Sequence, residues 1–462
     1  MQYQSTRDKN LKASSAQAIL NGLAPDGGLY TMPSFDEVKF DYTTVLNMDT
    51  MSMSTKILSK LLPDFSEAEM AKLVHDGYTG KFETDHLTPT VPVGEDFILE
   101  LFRGPTSAFK DVALSMLPRL MTASKEKLGV DDEIMILTAT SGDTGKAAME
   151  GFCDVPGTKI IVFYPHGGVS AVQQAQMATQ AGENVCVCAV RGNFDDAQTG
   201  VKKIFSAVSK DQLLEGKGVR LSSANSINIG RLVPQVVYYV YAYAKLLANG
   251  EIEKDEKVNV VVPTGNFGNI LAAYYAKNMG VPIDKLICAS NDNKVLYDFF
   301  KTGVYDKNRP FILTSSPSMD ILISSNLERL IYLSTGCDAE ETKKRMEELS
   351  KDGKYSVTGE MRARMADFVG GYADQAANAA EIKRLYDETG YMIDTHTGVA
   401  SCVYHNYVKE TGDTKKTVIA STASPYKFSR SVMEAIFGSE EGKGEFELID
   451  EMEKASGVKI PQ

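Results

Sequence analysis

From residue 133 onward the chain alternates short apolar runs with segments of helical periodicity, and this alternation constrains its fold more than any other feature. Runs typical of buried strands occupy 133–137, 159–164 and 184–190, and each precedes a segment with a helical pattern. The apolar run 259–263 repeats the arrangement further along the chain. Strands that alternate with helices indicate a parallel sheet covered by helices. The sequence therefore predicts the α/β class.

The length and the connectors indicate more than one domain. A chain of 462 residues exceeds one ordinary domain. Residues 1–85 combine a short strand with two segments of helical pattern, and the Pro-rich stretch 88–93 follows them. Such a stretch is typical of a connector, so we predict a small N-terminal domain over 1–85.

Charge and cysteine usage narrow the class of function. The net charge is −12, which disfavours a role at nucleic acids or at a membrane surface but leaves room for a locally positive site. Cys186 and Cys188 are close in sequence, but without a histidine cluster they predict no metal site. We expect buried free thiols in a reducing compartment. Because the sequence starts without an apolar signal region and contains no bilayer-spanning run, we expect a cytoplasmic protein.

Lys110 is the first candidate catalytic residue. It stands in the run Ala108-Phe109-Lys110-Asp111, after a strand-like segment that breaks at Gly104-Pro105. Small and apolar neighbours would bury its amine, and burial favours the neutral form that attacks a carbonyl. A surface lysine that opens an ordinary helix is the alternative.

Two glycine-containing loops, at 140–145 and 264–269, each join a predicted strand to a predicted helix. Backbone N–H groups gathered at a helix N-terminus favour a phosphate or a carboxylate. Neither loop has the G-K-[ST] of a P-loop or the spacing of a dinucleotide-binding motif. An ordinary strand-to-helix turn at 264–269 and a capped helix start at 140–145 remain open alternatives.

A third cluster, 225–231, brings amide side chains and Arg231 together before a helix. An arginine there can hold a phosphate through its planar fork, or it can simply tie a loop. The lysine, the two loops and this cluster are jointly explained by a pyridoxal-phosphate enzyme acting on an anionic amino acid. The lysine would hold the aldehyde, one loop the cofactor phosphate and the other loop the substrate carboxylate.

The same residues resemble the threonine synthase family, in its longer branch with an extra N-terminal domain. The motifs are specific together and weak singly. They run in the family's order through most of the chain: Ala24-Pro25-Asp26-Gly27-Gly28-Leu29-Tyr30, Glu100-Leu101-Phe102 with Gly104-Pro105-Thr106, Ala108-Phe109-Lys110-Asp111, Thr140-Ser141-Gly142-Asp143-Thr144-Gly145, Asn225-Ser226-Ile227-Asn228 with Arg231, Pro263-Thr264-Gly265-Asn266-Phe267-Gly268-Asn269, and Ser421-Thr422-Ala423 with Pro425.

The resemblance implies the architecture called fold type II among pyridoxal-phosphate enzymes. Two α/β domains with parallel-rich sheets would enclose the cofactor in the cleft between them, and a small N-terminal domain would precede them. Residues 131–229 would form the smaller domain, inserted in a large cofactor-binding domain made of 86–130 and 230–462.

The resemblance also implies roles for individual residues. Lys110 would be the Schiff-base lysine and would move protons during catalysis. The cofactor would be bound by Lys110, Gly265, Asn266, Phe267, Gly268, Asn269 and Thr422, with Thr422 near the pyridine nitrogen. The substrate carboxylate would be bound by Thr140, Ser141, Asp143 and Thr144, and the substrate phosphate by Asn225 and Arg231.

The implied reaction converts O-phospho-L-homoserine and water into L-threonine and phosphate by γ-elimination and β-hydration, as the last step of threonine biosynthesis. The expected partner is this small substrate, with no nucleic acid and no membrane, and the protein is expected to be a monomer or homodimer. A serine/threonine dehydratase-like lyase and a catalytically silent ligand-binding homologue are the alternatives. Arg231 argues against the first, and Lys110 argues against the second.

Three residues depart from the family's pattern. Arg103 stands where relatives often carry histidine. Asp143 stands where related lyases carry asparagine, and an ionised aspartate cannot donate a hydrogen bond to the cofactor's phenolate oxygen. His396 lies in a turn that lacks the family's proline, and we expect it to be structural.

Overall fold

Four β-sheets organise the chain in the computed structural model, which describes residues 1–140, 142–192, 194–210 and 212–461. The strands are β1 (Tyr3–Ser5), β2 (Lys12–Ala13), β3 (Tyr30–Thr31), β4 (Thr90–Val93), β5 (Asp96–Glu100), β6 (Glu133–Ala139), β7 (Thr158–Pro165), β8 (Val185–Val190), β9 (Val219–Ser222), β10 (Val258–Pro263), β11 (Ile283–Ser290), β12 (Val304–Asp306), β13 (Lys354–Ser356), β14 (Phe368–Tyr372) and β15 (Thr417–Ser421).

The helices cover the sheets and connect their strands. They are α1 (Ser15–Asn21), α2 (Thr50–Leu61), α3 (Glu67–Tyr78), α4 (Lys110–Lys127), α5 (Asp143–Phe152), α6 (Ala171–Ala178), α7 (Phe194–Lys210), α8 (Ile229–Leu232), α9 (Pro234–Ala248), α10 (Gly268–Met279), α11 (Val295–Thr302), α12 (Leu327–Ser334), α13 (Ala339–Asp352), α14 (Gly359–Arg364), α15 (Gln375–Thr389), α16 (Thr395–Thr411), α17 (Ser429–Phe437) and α18 (Glu445–Ser456). Short 3-10 turns occupy Tyr42–Val45, Pro317–Met319 and Pro425–Phe428.

The largest sheet has six strands in the order β14-β11-β10-β15-β5-β4. Its neighbouring strands are parallel except for the antiparallel pair of β4 and β5. All residues of the central strands β10, β15 and β5 are buried. Helices on both faces explain this pattern, because a strand covered on both sides needs apolar residues at consecutive positions.

A second parallel sheet, in the order β8-β7-β6-β9, is built from residues 133–222. Both parallel sheets follow from the predicted alternation of strands and helices. In such sheets ligands bind beyond the carboxyl ends of the strands. The loops that leave β5, β6, β10 and β15 therefore define the region where a site is expected.

The first eighty residues brace the helix that begins at Lys110. The strands β1–β3 form a small antiparallel sheet, and α1 and α3 pack against α4. The Tyr78 hydroxyl donates to the Val112 carbonyl over 3.0 Å, and the amide of Asn228 donates to the Ile19 carbonyl over 2.9 Å. This region therefore contacts two of the segments that carry candidate site residues.

The cysteines are free as predicted but are less buried than predicted. Cys288 is buried, Cys186 is exposed, and the other four are half-buried: Cys153, Cys188, Cys337 and Cys402. The prediction of buried thiols is wrong for Cys186 because β8 is the edge strand of its sheet, so neighbours cover it on one side only. Within the described ranges, no helix is long and apolar enough to cross a bilayer.

Candidate active site

Lys110 is the first residue of α4 and lies beside the end of β15. The Phe109 N–H donates to the Thr422 carbonyl over 2.8 Å, and the Ser424 N–H donates to the Ser107 carbonyl over 3.0 Å. The carboxylate of Asp111 accepts from the Thr106 N–H over 2.9 Å. These bonds fix the turn between β5 and α4 and direct the Lys110 side chain into the space between the two parallel sheets.

The surroundings of the Lys110 amine depress its basicity. The residue is 9% exposed, and its Nζ lies 4.8 Å from the centre of the Phe109 ring. Burial, with the nearby charges of Lys427 and Arg231, lowers the pKa of Lys110 to about 8, although the Asp143 carboxylate opposes the change. A lysine of this kind is neutral in a useful fraction near neutral pH and can act as nucleophile and base.

Asp143 connects the two parallel sheets through an ion pair that the sequence did not reveal. Its carboxylate lies 2.7 Å from the Nζ of Lys427 and 3.8 Å from the Nζ of Lys110. It also accepts from the Gln173 amide over 3.1 Å. Burial raises the pKa of Asp143, but the positive charges of Lys427 and Lys110 outweigh burial and hold it well below its usual range. Asp143 is therefore ionised.

Lys427 supplies the hydrogen-bond donors that an ionised Asp143 lacks. Besides its bond to Asp143, its ammonium donates to the Thr106 carbonyl over 2.9 Å. The described residues thus take up two of its three N–H groups. Lys427 is buried, so one N–H group of its ammonium remains without a partner among the described residues.

The loop from Thr264 to Asn269 forms a cradle for an anion. Phe267 adopts a left-handed backbone with φ of 64°, and α10 begins at Gly268 without a side-chain cap, so the first N–H groups of that helix have no partner within it. A Cβ atom on Gly265 would lie 2.4 Å from the Ser318 carbonyl oxygen. The buried amide nitrogen of Asn269 has no hydrogen-bond partner among the described residues. A phosphate placed here would satisfy these donors.

Ser421 and His396 belong to a second polar network around Asp394, next to Thr422. The Ser421 hydroxyl lies 2.9 Å from that of Thr397, next to Asp394, which caps α16. Asp394 also binds Nδ1 of His396 over 2.6 Å, and Nε2 of His396 accepts from the Ser318 N–H over 3.1 Å. His396 thus positions Ser318. Thr422 is buried, and its hydroxyl has no hydrogen-bond partner within the described part of the chain.

Arg231 is a buried cation without a carboxylate partner among the described residues. It donates through Nη1 to the Ala224 carbonyl over 2.6 Å, whereas its buried Nε has no partner. Burial lowers the pKa of Arg231 to about 10, and its charge acts on Lys110. A buried charge without a counter-ion is costly, so the site is built for an incoming anion.

The other predicted substrate-binding residues differ in burial and in the contacts that they make. The Thr140 hydroxyl accepts from the N–H groups of Gly142 and Gly145, over 3.0 Å and 2.9 Å, and so shapes the turn itself. Thr144 is half-buried, and Asn225 is exposed. Ser141 lies outside the described residues. The structure therefore brings Asp143 and Arg231 near Lys110 and leaves Asn225 towards solvent.

Sequence reasoning missed Ser318 and Lys427. The Ser318 hydroxyl lies 3.5 Å from the Lys110 amine and 3.4 Å from the Asp143 carboxylate. Its only sequence signal is a Ser-Pro-Ser turn at 316–318. Lys427 had a clearer signal in the sequence. It lies between Tyr426 and Phe428, soon after the apolar run of β15, and such neighbours indicate a buried lysine.

Comparisons with known proteins agree with this geometry. The model for the threonine synthase N terminus matches residues 2–78, and the model for pyridoxal-phosphate dependent enzymes matches residues 92–423. Human threonine synthase-like 1 is 37% identical over 91% of this chain, but the match spans 58% of that relative's length. Threonine synthase from Saccharomyces cerevisiae is 35% identical over 99% of this chain and 93% of its own.

A solved structure of similar sequence has the same fold. The structure of PLP-bound threonine synthase from Brucella melitensis is 36% identical and superposes with a TM-score of 0.87, covering 98% of this chain and 94% of that one. The predicted α/β class and fold type II architecture are thereby confirmed. The chain belongs to the threonine synthase family of pyridoxal-phosphate-dependent enzymes.

Proposed function

We propose that this protein is a threonine synthase, which converts O-phospho-L-homoserine and water into L-threonine and phosphate. The observation that carries the proposal is Arg231, a buried guanidinium with an unpartnered Nε near the reactive lysine. A substrate with a phosphate at one end and an amino acid at the other needs such a cation close to the lysine. A lyase acting on serine or threonine has no use for it.

The cofactor assignment rests on the family and on the cradle. Gly265 to Asn269 would hold the phosphate of pyridoxal phosphate, with the orphaned Asn269 amide among the donors. Lys110 would form the Schiff base, and the free Thr422 hydroxyl would face the ring nitrogen. When bound, the cofactor supplies an electron sink for the charge that develops on the substrate carbon.

Lys110 also moves protons in this proposal. With cofactor and substrate bound, its Nζ would take a proton from the substrate and return it. A pKa of about 8 suits both directions near neutral pH. The ionised carboxylate of Asp143, 3.8 Å away, stabilises the protonated form of Lys110. Lys110 can therefore hold a proton before it returns the proton to the substrate.

The substrate would be gripped at both ends. The turn from Thr140 to Thr144, at the N-terminus of α5, would bind the carboxylate through backbone N–H groups, with Ser141 among the contacts. Arg231 would bind the phosphate together with Asn225, which is exposed in the structure and would have to turn inward. Lys427, paired with Asp143, would supply the cofactor with a hydrogen-bond donor that an ionised Asp143 cannot provide.

We also propose the domain division and the location stated from the sequence. The boundaries 1–85, 131–229, and 86–130 with 230–462 agree with the separate sheets formed by 3–31, 133–222 and 90–421. A cytoplasmic location is supported by six free cysteines. A monomer or homodimer remains our expectation for the assembly.

The decisive experiment supplies O-phospho-L-homoserine to the holoenzyme and measures inorganic phosphate and threonine. Equal amounts of both products are expected, and Lys110→Ala should abolish both. Phosphate without threonine would contradict the water-addition step. Turnover of serine or threonine, with none of the phosphorylated substrate, would favour the dehydratase alternative. A purified protein that binds no cofactor and shows no turnover would favour the silent homologue.

A further inference from the structure

A cavity of about 230 Å³ lies beside the candidate active site and borders it at Ser424. It is bounded by the end of β5, by the segment that follows α15, and by α18 with the residues after it up to Pro461. Its volume falls below the range of about 300–1,000 Å³ typical of pockets for drug-sized ligands. The space suits a small molecule of amino-acid size.

The cavity is apolar inside and charged at its rim. Phe102, Met392, Tyr426 and Met452 line it and are buried. The charged lining residues are Glu83, Glu100, Arg103 and Lys459. A ligand with an apolar body and a charged head fits this division.

Three of the four charged side chains pair with one another, because Arg103 bonds to both carboxylates. Nε of Arg103 donates to Glu100 over 2.8 Å, and its Nη1 donates to Glu83 over 3.0 Å. Glu100 is buried and also accepts from the Tyr391 hydroxyl over 2.5 Å. Arg103, the residue that departs from the family's histidine, thus holds Glu100 in place and orients Glu83.

Arg103 carries one positive charge against two carboxylates, so the cluster of Glu83, Glu100 and Arg103 keeps a net charge of −1. Glu83 is its most exposed member, with a side chain that is 36% exposed. Lys459 is exposed and lacks an ion-pair partner among the described residues. One carboxylate and one ammonium at the mouth of an apolar cavity match the two charged groups of a zwitterion.

We propose that this cavity binds a free α-amino acid with an apolar side chain. Its ammonium group would pair with Glu83, its carboxylate with Lys459, and its side chain would pack on Met392, Met452 and Tyr426. The site adjoins both segments that hold Lys110, because Phe102 and Arg103 precede the turn into α4 and Ser424 is bonded to Ser107.

The test is calorimetric titration of the holoenzyme after borohydride reduction, which blocks exchange of an added amine at the cofactor. The probes are L-leucine, L-methionine and L-phenylalanine, with 4-methylpentanoate and 3-methylbutylamine as analogues that lack one charge each. At least one amino acid should bind, and the two analogues should bind at least about tenfold more weakly. No heat from any amino acid, or equal affinity for an analogue, would overturn the proposal.

Charge-removing variants locate the binding. Lys459→Met and Glu83→Gln should each weaken binding at least about tenfold. Lys454→Met and Asp85→Asn are matched controls on exposed residues that do not line the cavity, and they should bind as the unmodified protein does. Unchanged affinity in both Lys459→Met and Glu83→Gln would place the ligand elsewhere. The cofactor absorbance and melting temperature of each variant verify that it is folded.

Discussion

Replacing Lys427 by methionine tests whether the buried pair with Asp143 is built as described. The two side chains are 2% and 4% exposed, and their charged atoms are 2.7 Å apart. Methionine keeps the length and apolar stem of lysine but removes the charge. Asp143 would then be a buried carboxylate whose ion-pair partner among the described residues is Lys110, at 3.8 Å.

Lys427→Met should lower the free energy of unfolding substantially. Removing one partner of a buried ion pair costs about 3–5 kcal/mol, because the remaining charge stays desolvated. The second cation at Lys110 places the expected loss near the lower end, about 3 kcal/mol. The double variant Lys427→Met with Asp143→Asn leaves no buried carboxylate, so it should be more stable than Lys427→Met alone.

Urea unfolding of the cofactor-free protein measures these differences. The four proteins of the cycle should show a coupling energy on the order of 2 kcal/mol, with similar dependence of unfolding free energy on urea concentration. Lys409→Met, at an exposed position on α16, is the matched control and should change stability by at most about 0.5 kcal/mol. Additive losses, or a Lys427→Met variant as stable as the control, would refute the reasoning.

Lys427→Met and Asp143→Asn should change the pKa of Lys110 in opposite directions. The charge of Lys427 lowers the pKa of Lys110, and the charge of Asp143 raises it. Lys427→Met should therefore raise this pKa above about 8, and Asp143→Asn should lower it. The pH dependence of Lys110 labelling by an amine-reactive reagent, in cofactor-free protein, reports the value. Shifts of the same sign would contradict the assigned contacts.

Three further outcomes are expected. Gly265→Ala should weaken pyridoxal phosphate binding at least about tenfold in reconstitution assays, because the new Cβ would lie 2.4 Å from a carbonyl oxygen. Gly268→Ala is the control, and it should have a much smaller effect because the nearest neighbour of its Cβ would lie at 3.4 Å. Burial lowers the pKa of His405, but two neighbouring carboxylates overcome burial and raise it to about 9. Protonated His405 should stabilise the fold fully below about pH 6.5, and this stabilisation should be lost as the pH rises through about 9. His405→Gln should therefore reduce the dependence of the melting temperature on pH between these values. The same pH dependence in the variant and the unmodified protein would refute the assignment. Inorganic phosphate should bind the holoenzyme, and Arg231→Met should weaken that binding at least about tenfold in calorimetric titration; unchanged binding would contradict Arg231 as the phosphate ligand.

The sequence by itself determined the class of fold and singled out Lys110 as the candidate catalytic lysine. Strand and helix periodicity is a local property, so the alternation after residue 133 predicted a parallel sheet covered by helices. The run around Lys110 and the loop at 264–269 were recognisable because turns and helix starts depend on neighbouring residues. The proposed domain boundaries rest on the same local signals and remain predictions.

The tertiary structure alone decided which charges meet. Lys427 and Asp143 are far apart in sequence, one in a 3-10 turn and the other at the start of α5. Ser318 lies near Lys110 on a segment whose backbone N–H donates to His396. The exposure of Cys186 likewise depends on β8 being an edge strand. Such contacts follow from the path of the whole chain, and no local pattern encodes them. The lysine could be found from its neighbours in sequence, but the lowered pKa that makes it reactive comes from its neighbours in space.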